Sequence, residues 1–304
     1  MIATALDTLS SRFGERWANV ISPLGMLYVA AIWAGLLLGQ SHALDGAMLV
    51  ERSVDEFQSW GSGPTLTSGA VVIALAVATA ASFMVGQVGS LIERSWSARG
   101  PSWWVKLGRD GQVGRWRLTK GRRDRWLAAD EEYRAAAEVE TSSPEDLRLQ
   151  GELAARRNRI ALSEPQRPTW IGDRLRVVGE RVHHQYGLDP DAAWPRLWLV
   201  LPEATREELR LARAELAGAA RLVGWALVFA VLAAALWWPA AVVAAILAAI
   251  GWNEARARAE TFASLVEASF DVYSVALAAA VQPAVGAVTP AIGREISERL
   301  RKGA

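Results

Sequence analysis

The sequence predicts an all-α polytopic membrane protein with about four embedded helices and a helical cytoplasmic bundle continuous with the third span. Three stretches without Asp, Glu, Lys or Arg indicate the membrane helices: residues 17–44, 57–92 and 222–252. A spanning helix needs about 20 mainly apolar residues, so each stretch is long enough to cross a bilayer. Residues 101–215 are charged and mostly show helical periodicity, which predicts the bundle.

The overall composition excludes several functions. The net charge of the 304 residues is +1, so the overall charge does not favour nucleic acid as a partner. The chain has no Cys. Disulfides, thiolate catalysis and cysteine-ligated metal centres are therefore excluded.

The first apolar stretch predicts a span over residues 20–39, preceded by a short amphipathic helix over residues 4–17. Gly35 and Gly39 form a GxxxG pair, a spacing that lets another helix approach closely. We expect both glycines to serve helix packing.

The second span is predicted over residues 68–89, where Ala and Gly are frequent. Small residues favour packing against other helices. Thr79, Ser82 and Gln87 contribute polar side chains to this span and are candidates for lining a pore.

Charges on either side of these two spans predict the orientation. Residues 41–66, expected to form a loop, contain four acidic residues and one Arg, whereas residues 101–126 are strongly basic. The positive-inside rule places the basic segment and both termini in the cytoplasm of a bacterium, with the protein in the cytoplasmic (inner) membrane. The basic residues are candidates for contacting anionic lipid headgroups, unless they only fix topology. They are Lys106, Arg109, Arg115, Arg117, Lys120, Arg122, Arg123 and Arg125.

Residues 93–216 are predicted to form the basic juxtamembrane segment and the cytoplasmic helical domain. A hairpin turn is predicted at Asp110-Gly111. Ser143 and Thr169 are predicted helix N-caps, and Gly187 a helix end.

A short helix is predicted to begin at Asp189-Pro190. It carries Trp194 and Trp198 on one face, which we predict to be a docking face for a cytoplasmic protein partner.

The third apolar stretch predicts one long helix over residues 202–237, part cytoplasmic and part embedded. Trp237-Trp238-Pro239 favours a break there, because Pro disfavours helix at the preceding residue and Trp suits the headgroup level. Residues 217–252 would then form a helical hairpin. Because the returning arm is short, a single tilted helix is the alternative.

The remaining boundaries follow from these elements. Residues 1–92 hold the N-terminal helix and the first two spans, and residues 253–304 form a cytoplasmic helical tail. Within this tail, residues 272–293 are uncharged but diluted by Pro and Gly, so whether they touch the membrane stays open.

No residue pattern predicts catalysis or metal binding. Adjacent residues on a helix point about 100° apart, so His183 and His184 cannot both ligate one metal ion from a rigid helix. Motifs for acyl transfer, phosphate binding or zinc hydrolysis do not occur. We expect no metal, no cofactor and no enzyme.

The run from Tyr186 to Trp198, followed by Leu201-Pro202, resembles a motif of uncharacterised actinobacterial polytopic membrane proteins, as does the run from Leu265 to Asp271. The resemblance covers the C-terminal third and implies no known activity. The order of spans is also similar to that of bestrophin-type anion channels, although their pore motifs do not occur here.

These observations predict a non-catalytic, homo-oligomeric membrane module whose cytoplasmic helices dock a partner or sense a signal. The alternative is an oligomeric ion channel or membrane-permeabilising effector built from the first two spans.

Overall fold

The computed structural model describes residues 23–59, 64–97, 111–138, 143–282 and 288–301. Within these ranges the secondary structure is helical, with no strand, and the predicted all-α fold is confirmed there. The helices are α1 (Pro23–Leu38), α2 (Gly46–Ser59), α3 (Pro64–Ser97), α4 (Gly111–Glu138), α5 (Pro144–Ile160), α6 (Trp170–Tyr186), α7 (Pro190–Val200), α8 (Glu203–Ala235), α9 (Ala240–Val281) and α10 (Pro290–Leu300).

The chain divides into two compact units. The apolar unit comprises Met1–Ile92 and Ala217–Asn253, and the charged unit comprises Glu93–Leu216 and Glu254–Ala304. Three described helices, α3, α8 and α9, are long and apolar enough to cross a membrane, and each contributes residues to both units. The helix α1 is apolar but shorter.

Within the apolar unit, α8 and α9 form an antiparallel hairpin. The helix α8 ends at Ala235, and the amides of Leu236 and Trp237 both donate to the carbonyl of Leu232. Away from the turn, a Cβ on Gly251 of α9 would lie 2.9 Å from a methyl group of Val223 on α8, so the two arms are still in contact there. The long helix and the break at Trp237-Trp238-Pro239 are thus confirmed. The returning helix does not end near residue 252, however, but continues to Val281.

The core of the apolar unit joins this hairpin to α1 and α3. Phe229 is fully buried, and the ring of Tyr28 meets it edge-on at 5.4 Å. A Cβ on Gly224 would lie 3.3 Å from both a methyl carbon and the carbonyl oxygen of Val85, so α8 passes very close to α3. Glycine permits this approach because it has no side chain to separate the backbones.

The two glycines of the predicted GxxxG pair have different surroundings. A Cβ on Gly35 would lie 3.0 Å from the Cβ of Trp237, which fits the predicted packing. Gly39 has φ +63°, its amide donates to the carbonyl of Gly35, and a Cβ there would meet nothing within 4 Å. Within this chain Gly39 therefore packs against no other helix; it ends α1 in a left-handed conformation that glycine adopts without strain.

The acidic segment 41–66 is not wholly a loop, because residues 46–59 form the helix α2. Asp45 begins it by accepting a hydrogen bond from the amide of Met48 at 2.9 Å. Apolar residues at Val50, Val54 and Phe57 follow helical spacing.

The charged unit contains an antiparallel pair, α4 and α5. Asp130 accepts from Arg157 at 3.0 Å, and the Trp126 indole donates to the carbonyl of Ala161 at 2.9 Å. The hairpin turn predicted at Asp110-Gly111 is wrong in its described part, since Gly111 already belongs to α4. The Arg-, Ala- and Leu-rich sequence that follows favours helix despite Gly114 and Gly121, and it outweighs the local turn signal.

The predicted helix ends in this unit are confirmed. Ser143 forms a capping box with Asp146, and the hydroxyl of Thr169 accepts from the amide of Gly172. Gly187 ends α6 with φ 68°. The helix α7 begins at Pro190 with Asp189 as its cap.

The amphipathic helix predicted over residues 4–17 lies outside the described residues.

Candidate functional site

Three side-chain pairs join α6 to α9 within the charged unit. Arg174 binds Glu260 through two hydrogen bonds of 2.7 and 2.9 Å, and Arg181 binds Glu267 at 2.9 Å. The hydroxyl of Tyr186 donates to Asp271 at 2.7 Å. The partners are 86, 86 and 85 residues apart, so the helices run parallel over this length. These pairs hold α6 and α9 in a fixed alignment.

An open groove of about 970 Å³ lies between α6, α7 and α9, all within the charged unit. Its apolar wall comes from residues of all three helices, and its rim carries charges of both signs. The apolar residues include Leu175, Val178, Trp194, Phe262, Val266 and Phe270; the charged ones include Arg176, Glu180, Asp189, Asp191 and Arg301.

The two tryptophans predicted to form a docking face occupy different surroundings. Trp194 is half-buried, lines the groove and packs against Phe270 at a ring distance of 6.1 Å. Trp198 is also half-buried, and its ring lies 5.9 Å from that of Trp194 and 5.5 Å from the guanidinium of Arg210. Both rings pack on the core of the unit, and Trp194 adds to the groove.

The sequence argument missed the contribution of α9 to this groove. Phe262, Val266 and Phe270 repeat every fourth residue along α9, which is the signal of an apolar face. Only the structure shows that this face meets α6 and α7, because the partners lie far apart in sequence.

The rim at the start of α7 is held by an ion pair. Arg301 donates to Asp189 at 2.6 Å, and this hydrogen bond holds the pKa of the carboxyl below its usual value. The same Asp189 side chain accepts from the amide of Asp191 at 3.1 Å. The helix α10, which carries Ser297, adds a hydrogen bond from the amide of Asp189 to the hydroxyl of Ser297 at 2.8 Å. The loop between α6 and α7 is thereby fixed.

His183 and His184 also line the groove. Their ring centroids lie 6.1 Å apart, and Nδ1 of His183 lies 3.3 Å from the carbonyl oxygen of Leu188. Among the described residues, no group of three His, Cys, Asp or Glu side chains is placed to hold a metal ion.

The basic residues predicted to contact lipid headgroups are only partly described. Lys106 and Arg109 lie outside the described residues, and Arg115 and Arg117 lie on α4 in a part whose side chains are not described. Lys120 and Arg125 are exposed, and Arg125 donates to the carbonyl of Gly121 on its own helix. Arg123 forms a salt bridge with Glu164.

Arg122 does not fit the predicted lipid contact. Its guanidinium lies 2.6 Å from Asp173 and donates to the carbonyls of Arg167 and Ile160. Its side chain is 12% exposed and that of Asp173 3%. The prediction for Arg122 is corrected: charge density along the sequence does not reveal that this residue has an internal acceptor.

The predicted pore-lining residues do not share one face of α3. The hydroxyl of Thr79 donates to the carbonyl of Leu75, and that of Ser82 donates to Ala78, both at 2.8 Å. The hydroxyl of Ser82 lies 3.0 Å from the position of a Cβ on Gly25, so it faces α1. Gln87 is exposed, and at about 100° per residue it points roughly 140° away from Ser82.

The described residues form an all-α fold in which three helices are long enough to span a membrane, and the charged unit holds an open groove with an apolar wall. No family model, no curated protein and no solved structure matches the chain.

Proposed function

We propose that this chain is a non-catalytic, homo-oligomeric module of a bacterial inner membrane whose charged unit lies in the cytoplasm and docks a helical segment of a partner protein. The observation that carries this proposal is the groove between α6, α7 and α9, whose apolar wall is open while charged residues surround it. Recognition of an amphipathic helix in an apolar groove is a recurring mode of protein association.

The groove has the features that a helical ligand requires. Phe262 and Val266 are half-exposed along one face of α9, and Trp194 adds an aromatic surface from α7. Buried aromatic side chains contribute strongly to association, and a polar rim adds specificity. Arg301, whose side chain is 52% exposed, and the exposed Asp191 offer charges of both signs to a partner.

The membrane placement follows from the lengths of the helices and the charges between them. We assign four embedded helices: α1, α3, the apolar part of α8 and the apolar beginning of α9. The acidic α2 would then face the outside, whereas the basic segment and both termini would face the cytoplasm.

Homo-oligomer formation is supported by the apolar surface of α3. Val72, Ile73 and Phe83 are more than 60% exposed in the single chain. Lipid covers part of such a surface, and a second copy would cover the remainder. A two-fold dimer is the assembly that homo-oligomers adopt most often.

A photo-crosslinking experiment on the full-length protein in its native membrane tests the docking proposal. A photoreactive amino acid at Val266 places the probe in the groove, and the same amino acid at Leu149, 52% exposed on α5, is the matched control. We expect one discrete adduct with a different protein from position 266 only. Filling the groove by Gly179→Gln should abolish that adduct.

Equal labelling from both positions, or an adduct that persists in Gly179→Gln, would contradict the proposal. An adduct between two copies of this chain would also contradict it, because the groove would then be an interface within the oligomer.

The alternative function, an oligomeric channel or effector pore, requires polar side chains to face a common lumen. Ser82 faces α1, so Ser82→Leu would disturb packing as well as conduction. Gln87→Leu is the cleaner test, because Gln87 is exposed. A channel predicts ion flux from reconstituted protein that changes in Gln87→Leu, whereas the docking module predicts no flux in either case.

A further inference from the structure

The helix α2 is held against α1 by three contacts in the apolar unit. The rings of Trp33 and Phe57 stack at 5.7 Å, and the Trp33 indole donates to the hydroxyl of Ser53 at 3.2 Å. Arg52 donates to the carbonyl of Leu37. These contacts place α2 beside the C-terminal half of α1.

The segment before α2 is bound to the turn of the α8–α9 hairpin. The Gln40 side chain donates to the carbonyl of Ala233 at 3.0 Å and accepts from the amide of Trp238 at 2.9 Å. The Trp237 indole donates to the carbonyl of Ala43 at 2.8 Å. The helix α2 therefore begins at the level of the hairpin turn. If the hairpin spans a bilayer, that level is a membrane surface.

One flank of α2 is apolar and exposed. Val50 is 64% exposed, Val54 47% and Phe57 54%, and the three lie within about 60° of each other around the helix axis. Glu51 and Asp55 lie about 100° and 140° around the axis from Val50, on the adjacent, acidic flank. The structure describes α2 in full, and none of its residues is buried.

We propose that α2 is an interfacial anchor that lies in the lipid–water boundary, with Val50, Val54 and Phe57 among the lipids and the acidic flank in water. Tandem tryptophans at the same level fit this position, because indole rings favour the headgroup region. An amphipathic helix with one apolar flank is the structure that lies in this boundary. The anchor fixes the depth of the hairpin turn.

The charge of α2 determines which lipids it contacts. Glu51, Asp55 and Glu56 against Arg52 give a net charge of −2, so anionic headgroups do not attract it. Contact therefore depends on burial of apolar surface, and zwitterionic lipid suffices. In this respect α2 differs from the basic segment on the other side of the proposed membrane.

The absence of Cys makes a depth measurement possible on the full-length protein. Single-cysteine variants Val50→Cys and Val54→Cys receive a nitroxide label in zwitterionic nanodiscs, with Glu51→Cys and Asp55→Cys as controls on the adjacent, acidic flank. The accessibility of each label to oxygen, which concentrates in lipid, is compared with its accessibility to a water-soluble nickel complex. We expect a severalfold higher oxygen-to-nickel ratio at positions 50 and 54 than at positions 51 and 55, unchanged when anionic lipid is added.

Equal ratios at all four positions would overturn the proposal, since both flanks would then be in water. Strong spin–spin broadening at position 54 would also overturn it, because a second copy would cover the flank. This inference rests on the proposed membrane placement but not on the groove. If the labels on α2 show equal ratios while the crosslink from position 266 still forms, the anchor is refuted and the docking proposal stands.

Discussion

Arg122 on α4 and Asp173 on α6 form a salt bridge of 2.6 Å in the interior of the charged unit. The other oxygen of Asp173 accepts from the backbone amides of Gln166 and Arg167 at 2.9 Å each. One carboxylate thus joins α4 to the segment that precedes α6. This pair stabilises the unit that contains the groove.

Arg122→Met should lower the free energy of unfolding of the charged unit by about 1–3 kcal/mol, because the buried charge of Asp173 would lose its closer partner and keep only Arg176, at 3.4 Å. Thermal unfolding followed by circular dichroism measures the change. Adding Asp173→Asn should recover part of the loss, since the amide is neutral and can still accept from Gln166 and Arg167. The control Arg125→Met, at an exposed position, should change the free energy by about 0.5 kcal/mol or less. Equal losses in both single variants would contradict the assigned role of Arg122.

The exposed basic residues Lys120 and Arg125 should contact anionic lipid, if the proposed topology is right. Replacing both with Gln should weaken retention of anionic lipid by about 1 kcal/mol per residue. Native mass spectrometry of lipid-bound protein measures the retention. Arg299→Gln on α10 is a control for loss of one exposed positive charge elsewhere. If all three substitutions have the same effect per charge, lipid binding is not localised to α4.

The close approach of the two arms of the hairpin makes Gly251 sensitive to added atoms. A Cβ there would lie 2.9 Å from a methyl group of Val223 and 3.0 Å from the Val223 amide nitrogen. Gly251→Ala should therefore destabilise the apolar unit by about 1–3 kcal/mol, the usual cost of overpacking. Resistance to denaturing detergent measures the effect. Gly86→Ala is the matched control, because a Cβ on Gly86 meets nothing within 4 Å and alanine favours helix. If Gly86→Ala loses as much stability as Gly251→Ala, the close approach of the two arms of the hairpin at Gly251 is refuted.

The hydrogen bond from Tyr186 to Asp271 should make the charged unit less stable in strong alkali. Burial, followed by this hydrogen bond, raises the pKa of the Tyr186 phenol from 10.0 to about 12. Since the folded protein favours the neutral phenol, its contribution to stability is complete below pH 10 and is lost as the pH rises toward 12. Ultraviolet absorbance of tyrosinate should show a late-titrating component that disappears in Tyr186→Phe. Titration of that tyrosine at its ordinary pKa would contradict the contact.

Local signals predicted the helix ends of the charged unit correctly. Ser143, Thr169 and Gly187 each act on neighbouring backbone groups, so a few adjacent residues determine the outcome. The break near Pro239 was likewise predictable, because proline constrains the residue before it.

Features that depend on distant residues were not predictable. The partner of Arg122 lies 51 residues away, and the groove brings together helices from residues 170–200 and 240–281. Gly224 and Gly251 make close approaches without any motif that distinguishes them from other glycines. The helix α2 could have been found, since Val50, Val54 and Phe57 repeat at helical spacing, but its acidic residues favoured a loop.

The most direct test of the proposed docking module is the native mass of the full-length protein in lipid nanodiscs. The account predicts a dimer, in which too few uncharged helices are present to enclose a water-filled path. A single closed assembly of about four or more subunits would contradict it, because such a ring is the arrangement that a channel requires.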